Sequence, residues 1–201
     1  MLETAIIRIY YENDCCEPLY GELFSKDAEI IINIPQQSKE WHEQRKYRVT
    51  ALLDWRVFIG SRIYELFTYS KNEWENKSKK YFYGGSFHNK YTKHGVKFES
   101  DAKEAFIAQT SFHVVDCGMV VSNSNPWLGY SPDGVIFESG RPVALLEVKC
   151  LYEGATKTIT EVLEKCRFIG KRGNAYSLRE KHKYYAQVQL GIIGFTIRHR
   201  F

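Results

Sequence analysis

Ser131-Pro132-Asp133-Gly134-Val135-Ile136-Phe137-Glu138-Ser139-Gly140-Arg141-Pro142-Val143-Ala144-Leu145-Leu146-Glu147-Val148-Lys149-Cys150 is the stretch that decides the fold. Two apolar runs flank a polar segment, Glu138 to Pro142, that carries Gly and Pro. This is the pattern of a β-hairpin with a loop of moderate length. With the turn centred on Gly140, antiparallel pairing makes opposed residue numbers sum to about 280. Asp133 then falls opposite Glu147, and Ser131 opposite Lys149. Directly opposed Cβ atoms lie ~4.5–5.5 Å apart, so two carboxylates share one face of the ribbon.

Alternation sharpens this reading. Glu147 and Lys149 point to one face while Leu146 and Val148 point to the other. A strand that otherwise reads Val-Ala-Leu-Leu-x-Val-x-Cys belongs inside a sheet, where an acid and a lysine cost several kcal/mol of desolvation unless something compensates. Two carboxylates pressed together also repel, so one protonates unless a cation sits between them. A divalent cation resolves both problems, and oxygen donors suit Mg²⁺ or Mn²⁺. Plainer readings exist. Asp-Gly is a common turn former. Acid-x-Lys also recurs at Glu75-Asn76-Lys77 and Asp101-Ala102-Lys103, but only Glu147-Val148-Lys149 lies in an apolar strand. A purely structural Glu147–Lys149 pair is the remaining alternative.

Around the hairpin, residues 1–35 read as an N-terminal appendage, with a strand over 29–34 before Pro35. Residues 36–201 read as the main domain. Ser38 is a helix N-cap for a helix from Lys39 past Arg45, and a second helix spans about Thr50 to Phe67. Residues 71–93, rich in Lys, Asn, Tyr and Gly, read as a loop whose Lys79-to-Tyr83 run has the composition to grip nucleic acid. Helical spacing returns from Gly95 to Thr110. His113–Val115 with Met119–Val121 make one strand or a hairpin, strands follow at 135–137 and 143–150, and helices at about 158–166 and 177–192. Phe195 to Arg200 reads as a short strand. The alternation of strands and helices gives an α/β domain with a mixed sheet.

The 201 residues, 44% hydrophobic and 15% aromatic, suffice for one sizeable core. No apolar run approaches the ~18–20 residues of a membrane helix, and Met1-Leu2-Glu3-Thr4 does not open a secretory signal. The five cysteines (Cys15, Cys16, Cys117, Cys150, Cys166) form no C-x-x-C pair. Scattered reduced thiols fit an intracellular protein, nuclear or cytoplasmic, with no membrane partner and no zinc site. Charge is unevenly spread: from Lys165 onward nine basic residues face Glu180 alone, a net +8 that leaves −4 for the rest of a +4 chain. A phosphate-bearing partner suits that basic third, although a solvated face explains it as well.

Four blocks now fall in one order. They are Ser38-Lys39-Glu40-Trp41 with Arg45 and Val49-Thr50-Ala51; Gly95-Val96-Lys97-Phe98-Glu99 with Ala102; Trp127 to Gly134 with Leu146 to Cys150; and His182 with Tyr184-Tyr185-Ala186-Gln187-Val188-Gln189. In this order they resemble the PD-(D/E)xK nuclease superfamily, and within it the YqaJ-type viral recombinase, or lambda exonuclease-like, group. The resemblance runs from about Gln37 to Leu190.

It implies a restriction-endonuclease-like core, a mixed central β-sheet flanked by α-helices. It also implies a DNA nuclease that degrades duplex from its ends in the service of recombination. Glu99, Asp133, Glu147 and the Val148 carbonyl would bind one or two Mg²⁺ ions, with Mn²⁺ as a substitute. Lys149 and Gln187 would act on the attacking water or the phosphate, and Arg45 and Tyr184 would contact DNA. DNA is the implied partner; relatives also admit a single-strand annealing protein and a homo-oligomer such as a ring trimer. Two departures stand out. Leu52 replaces a small hydroxyl residue of the family, and the chain ends soon after Gln189, so the domain reads as C-terminally shortened. A catalytically inactive DNA-binding remnant of the same fold is the alternative.

Overall fold

The computed structural model describes residues 21–46, 48–50, 64, 66, 68–83 and 89–198. The hairpin forms in the expected register. β5 (Gly134–Glu138) and β6 (Arg141–Leu146) are antiparallel, with Gly134 opposite Leu146, Val135 opposite Leu145 and Ile136 opposite Ala144. Asp133 N–H donates to the Leu146 carbonyl at 3.1 Å, which carries the same register to the Asp133–Glu147 level. The loop is shorter than expected. Only Ser139 (φ 50°) and Gly140 (φ 75°) connect the strands, the left-handed conformations of a tight hairpin turn. A register shift between Ile136 and Phe137 absorbs the difference.

β2 (His113–Val115) pairs with β5 on its other side, so this sheet runs β2-β5-β6. Among the described residues β6 is therefore an edge strand, not an interior one, and Val143 is 52% exposed. It ends at Leu146; residues 147–150 continue without strand pairing, which corrects the expected strand to Cys150. A second sheet, β1 (Val49–Thr50), β4 (Leu128–Tyr130) and β3 (Val120–Val121), is mixed: β1 is parallel to β4 and β3 antiparallel to it. Residues 113–121 thus feed two different sheets rather than one strand or hairpin. A third ribbon, β7 (Ile169–Arg172) with β8 (Ala175–Leu178), occupies residues that included the start of an expected helix.

Helices surround the two larger sheets. α1 (Ala28–Ile31) replaces the expected strand over 29–34. Its Ile31 and, three residues on, Ile34 are buried against Trp41, Met119 and Val121, while Ile30 is exposed. Gly118 is essential to that contact, since a Cβ there would meet the Ile34 carbonyl oxygen at 2.2 Å. α2 (Lys39–Lys46) starts as expected, with the Ser38 hydroxyl accepting from Trp41 N–H at 3.1 Å. Thr50 lies in β1, so no helix begins there; most of the second helix expected to Phe67 lies outside the described residues.

α3 (Trp74–Tyr83) takes up much of the expected loop. α4 (Lys90–Thr110) starts earlier than expected because Asn89 and Thr92 form a reciprocal capping box. A 3₁₀ turn (Tyr152–Ala155) and α5 (Ile159–Lys165), capped by Thr158, follow. α6 (Lys183–Arg198) takes up residues 195–198 of the expected terminal strand, whose last two residues lie outside the described residues. Its Leu190 joins Leu23, Val49, Leu66, Tyr81 and Tyr130 in the larger core, with Leu145 and Ala186 packed against it. That core holds β4, β6 and α6 together, and so fixes the end of the hairpin beside the start of α6. None of the described helices is long and apolar enough to cross a membrane.

Candidate active site

Five polar side chains meet where β6 runs out. The Tyr130 hydroxyl donates to Glu147 Oε2 at 2.9 Å, and Gln187 Nε2 donates to Glu147 Oε1 at 2.6 Å. Lys149 Nζ forms an ion pair with Glu147 Oε1 and also donates to the Val148 carbonyl at 3.1 Å. Asp133 Oδ2 accepts from Val148 N–H at 2.5 Å. Each contact has a cause in the chain. β4 delivers Tyr130, the bend just before β5 delivers Asp133, and the first two turns of α6 deliver Tyr184 and Gln187.

Electrostatics reflect this crowding. Burial, then the neighbouring Glu147 charge, pushes the Asp133 carboxyl up to about 7. Burial pulls the Lys149 ammonium down, but Glu147 and Asp133 more than offset this and leave it above its ordinary value. It stays charged at neutral pH. Burial raises Glu99, opposed by Lys149 and assisted by Glu147, which places Glu99 within electrostatic reach of the cluster. Burial and the Glu147 charge raise the Tyr130 phenol, which stays a neutral donor. His182 is lowered by burial, and its Nδ1 accepts from Tyr184 N–H at 3.2 Å, a packing role and not that of a base.

The cluster opens on both sides. A cavity of about 170 Å³ is lined by Glu99, Asp133, Val148, Lys149 and Tyr184. A larger cleft of about 600 Å³, walled by residues 32–37, shares Glu99 and Asp133 with it. Of the expected site residues, Glu99, Asp133, Glu147, Val148, Lys149, Tyr184 and Gln187 therefore stand together. Arg45 does not join them: it is buried, with its guanidinium 4.3 Å from the Trp41 ring centroid. Trp41 Nε1 in turn donates to Ser131 Oγ at 3.1 Å, so α2 braces the turn into Asp133.

Two residues had no assigned role in the sequence. Tyr130 sat unremarked in the Trp127-to-Gly134 block. Gln36 holds the Asp133 turn from the other side, Nε2 donating to the carbonyls of Pro132 at 2.7 Å and Cys117 at 2.9 Å. Nothing in its local sequence signals that.

The donors are oxygen-rich but form no ready-made cage. Among the described residues no three His, Cys, Asp or Glu side chains are arranged to hold a metal. Asp133, Glu147 and the Val148 carbonyl nonetheless fit a hydrated Mg²⁺, which keeps several waters and takes only one or two carboxylates. The raised Asp133 is a carboxyl short of positive charge. Gln187 is 0% exposed, and its Oε1 has no hydrogen-bond partner among the described residues. An acceptor left so deep beside Glu147 suits a donor brought by a ligand or its water.

The sequence matches the YqaJ-like viral recombinase domain over residues 40–193. The chain belongs to this family. The YqaJ-like match takes in every expected site residue, from Arg45 to Gln187. No curated protein matches the sequence. Among solved structures, the YqaJ-like chain is similar to an alkaline exonuclease, LHK-Exo, from Laribacter hongkongensis, with 20% identity and a TM-score of 0.50 over 77% of this chain and 67% of that one. The same enzyme in complex with dAMP gives 21% identity and a TM-score of 0.51, covering 76% and 66% of the two chains. At such identities the likeness establishes the fold, a restriction-endonuclease-like α/β core with small sheets flanked by helices.

Proposed function

We propose that this chain is a Mg²⁺-dependent DNA nuclease that degrades duplex from its ends and serves recombination. The observation that carries the reading is the convergence of Asp133, Glu147 and Lys149 at the end of β6, with Glu147 held by both Tyr130 and Gln187. Family membership and the fold shared with an alkaline exonuclease support it.

Asp133, Glu147 and the Val148 carbonyl would hold one or two ions, Mg²⁺ or Mn²⁺, with Glu99 facing them across the smaller cavity. A divalent cation bound there supplies a Lewis acid for the phosphoryl oxygens and lowers the pKa of the attacking water. Lys149 carries a fixed positive charge to the phosphate, where negative charge grows in the transition state. Gln187 and Tyr130 fix the Glu147 carboxylate so that it need not reorganise. Tyr184, whose ring lies 5.6 Å from Lys149 Nζ, walls the site and keeps that ammonium in place. A single-strand annealing partner and a ring-shaped oligomer accompany this reading as expectations of the family.

A second reading has an observation of its own. Lys149 already holds Glu147 Oε1 and the Val148 carbonyl, two of the oxygens a cation needs. A protein in which that pair persists would bind DNA without cutting it. A time course on blunt, recessed, nicked and circular DNA with Mg²⁺ separates the two. Shortening of linear duplex that stops with EDTA supports the nuclease. Salt-dependent binding with every substrate intact selects the inactive reading.

A further inference from the structure

The β7–β8 ribbon stands apart from the rest of the fold. Among the described residues neither strand pairs with a third, and a lone two-stranded hairpin is at best marginally stable in water. Its base is nevertheless anchored. Arg179 N–H donates to the Phe168 carbonyl at 2.9 Å and Arg179 Nε to the Ile169 carbonyl at 3.0 Å. Phe168 packs edge-on against Tyr184, centroids 4.8 Å apart, and Tyr184 is the ring beside Lys149. The ribbon is thus tied to the wall of the active site while its far end projects into solvent.

Its surface carries charge without counter-charge. Lys165, Arg167, Lys171, Arg172 and Lys181 are exposed, and none has a carboxylate partner among the described residues. In register, Lys171 faces Tyr176, which is 49% exposed, and Arg172 faces Ala175. The face opposite Lys171 and Tyr176 carries Gly170, Ala175 and Ser177 beside Arg172, with the Arg179 side chain over Gly170. Each strand spans roughly 13 Å at ~3.3 Å per residue. A two-stranded ribbon fits the major groove of duplex DNA, which is about 12 Å wide.

We infer that the β7–β8 hairpin is a duplex-binding ribbon, with Lys171 and Arg172 on backbone phosphates of the duplex next to the strand being cut. The inference rests on the nucleic-acid reading of the site and adds the surface that holds the uncut duplex. Anchoring through Phe168 and Tyr184 makes the grip a fixed distance from Lys149, so that the duplex is held in register with the centre. No base contact is involved, and binding at this surface is indifferent to sequence.

The test is duplex affinity measured against salt in EDTA, with cleavage of a short duplex in Mg²⁺ assayed separately. Two phosphate contacts contribute about 1.8 to the slope of log affinity against log salt. K171A/R172A is expected to lose that much slope and at least fivefold in affinity at moderate salt. R172Q alone should lose about half of the slope change. Both keep the parental melting temperature, because the side chains are exposed. K26A removes a lysine already paired with Glu40, and should leave the slope unchanged. An unchanged slope in K171A/R172A, or a loss seen equally in K26A, overturns the ribbon. So does a loss confined to single strands. Slope lost in a protein that never cuts DNA supports the ribbon and sinks the nuclease reading alone.

Discussion

The Tyr130 hydroxyl donates to Glu147 Oε2 at 2.9 Å, across the boundary between two separate sheets. The bond couples the buried core to the carboxylate on which the proposed chemistry turns. Tyr130→Phe leaves the packing in place and removes one donor to a charged acceptor, an interaction worth about 1.5–3 kcal/mol. Cleavage should fall on the order of tenfold or more, and the urea midpoint should fall by no more than the loss of that one bond accounts for. Single-turnover kinetics beside an unfolding curve check this.

Gly191 lies under the same ring. A Cβ there would sit 2.5 Å from Tyr130 Cζ, and Tyr130 is only 3% exposed, so the ring has no room to retreat. Gly→Ala within a helix is ordinarily favourable by up to about 1 kcal/mol. Overpacking of a filled core costs about 1–3 kcal/mol and should win. Gly191→Ala is therefore expected to be less stable in urea and to cleave more slowly, because Tyr130 moves off Glu147.

Gln187 separates stability from function. Replacing it with Leu removes a hydrogen bond to Glu147 and also removes a buried Oε1 that has no partner. The unsatisfied acceptor costs about 1–3 kcal/mol and the lost bond about as much, so the two offset. The melting temperature of Gln187→Leu should stay near the parent's, while the cleavage rate drops by ten- to a hundredfold. A large loss of stability would show that Gln187 is chiefly structural.

The raised Asp133 carboxyl gives a pH dependence of definite sign. Its ordinary value is 3.8 and its folded value about 7. Between those values the folded chain holds a proton that the unfolded chain has lost, so stability falls as pH rises through that window. Asp133→Asn, whose amide oxygen can still accept from Val148 N–H, has no such proton. Without added metal, the melting temperature of the parent relative to Asp133→Asn should fall between pH 5 and pH 8. Saturating Mg²⁺ should shrink that difference, because the cation replaces the proton. A difference that does not change with pH would refute this.

Much of the site was legible because a short hairpin obeys strict arithmetic. A turn near Gly140 brings Asp133 within one step of Glu147; the two-residue turn alone would set Asp133 opposite Leu146, and the register shift between Ile136 and Phe137 puts Gly134 there and Asp133 level with Glu147. The fold class came through for the same reason, since alternation around 134–146 is local. What failed depended on distant contacts. Ile30-Ile31-Ile32 reads as a strand until Gly118 is seen to meet the backbone at Ile34. α3 is Lys-rich and buries only Ser78 and Tyr81, so its periodicity is too faint to mark a helix. β1 and β3 have two residues each, below any pattern length. For Arg45 the resemblance implies a DNA contact, and the sequence does not signal that its guanidinium lies over Trp41. Tyr130 belongs to another sheet, and no spacing within the sequence predicts that its hydroxyl meets Glu147.

The central claim is that Glu147 and Asp133 together hold a divalent cation against a phosphodiester. End-labelled linear duplex incubated with Mg²⁺ and either the parent or Glu147→Ala tests it most directly, with folding of both proteins confirmed by their melting curves. The account requires rapid shortening by the parent and a rate at least about a thousandfold lower for the variant, the scale on which one electrostatic element of a preorganised site acts. Equal rates for the two folded proteins would contradict it.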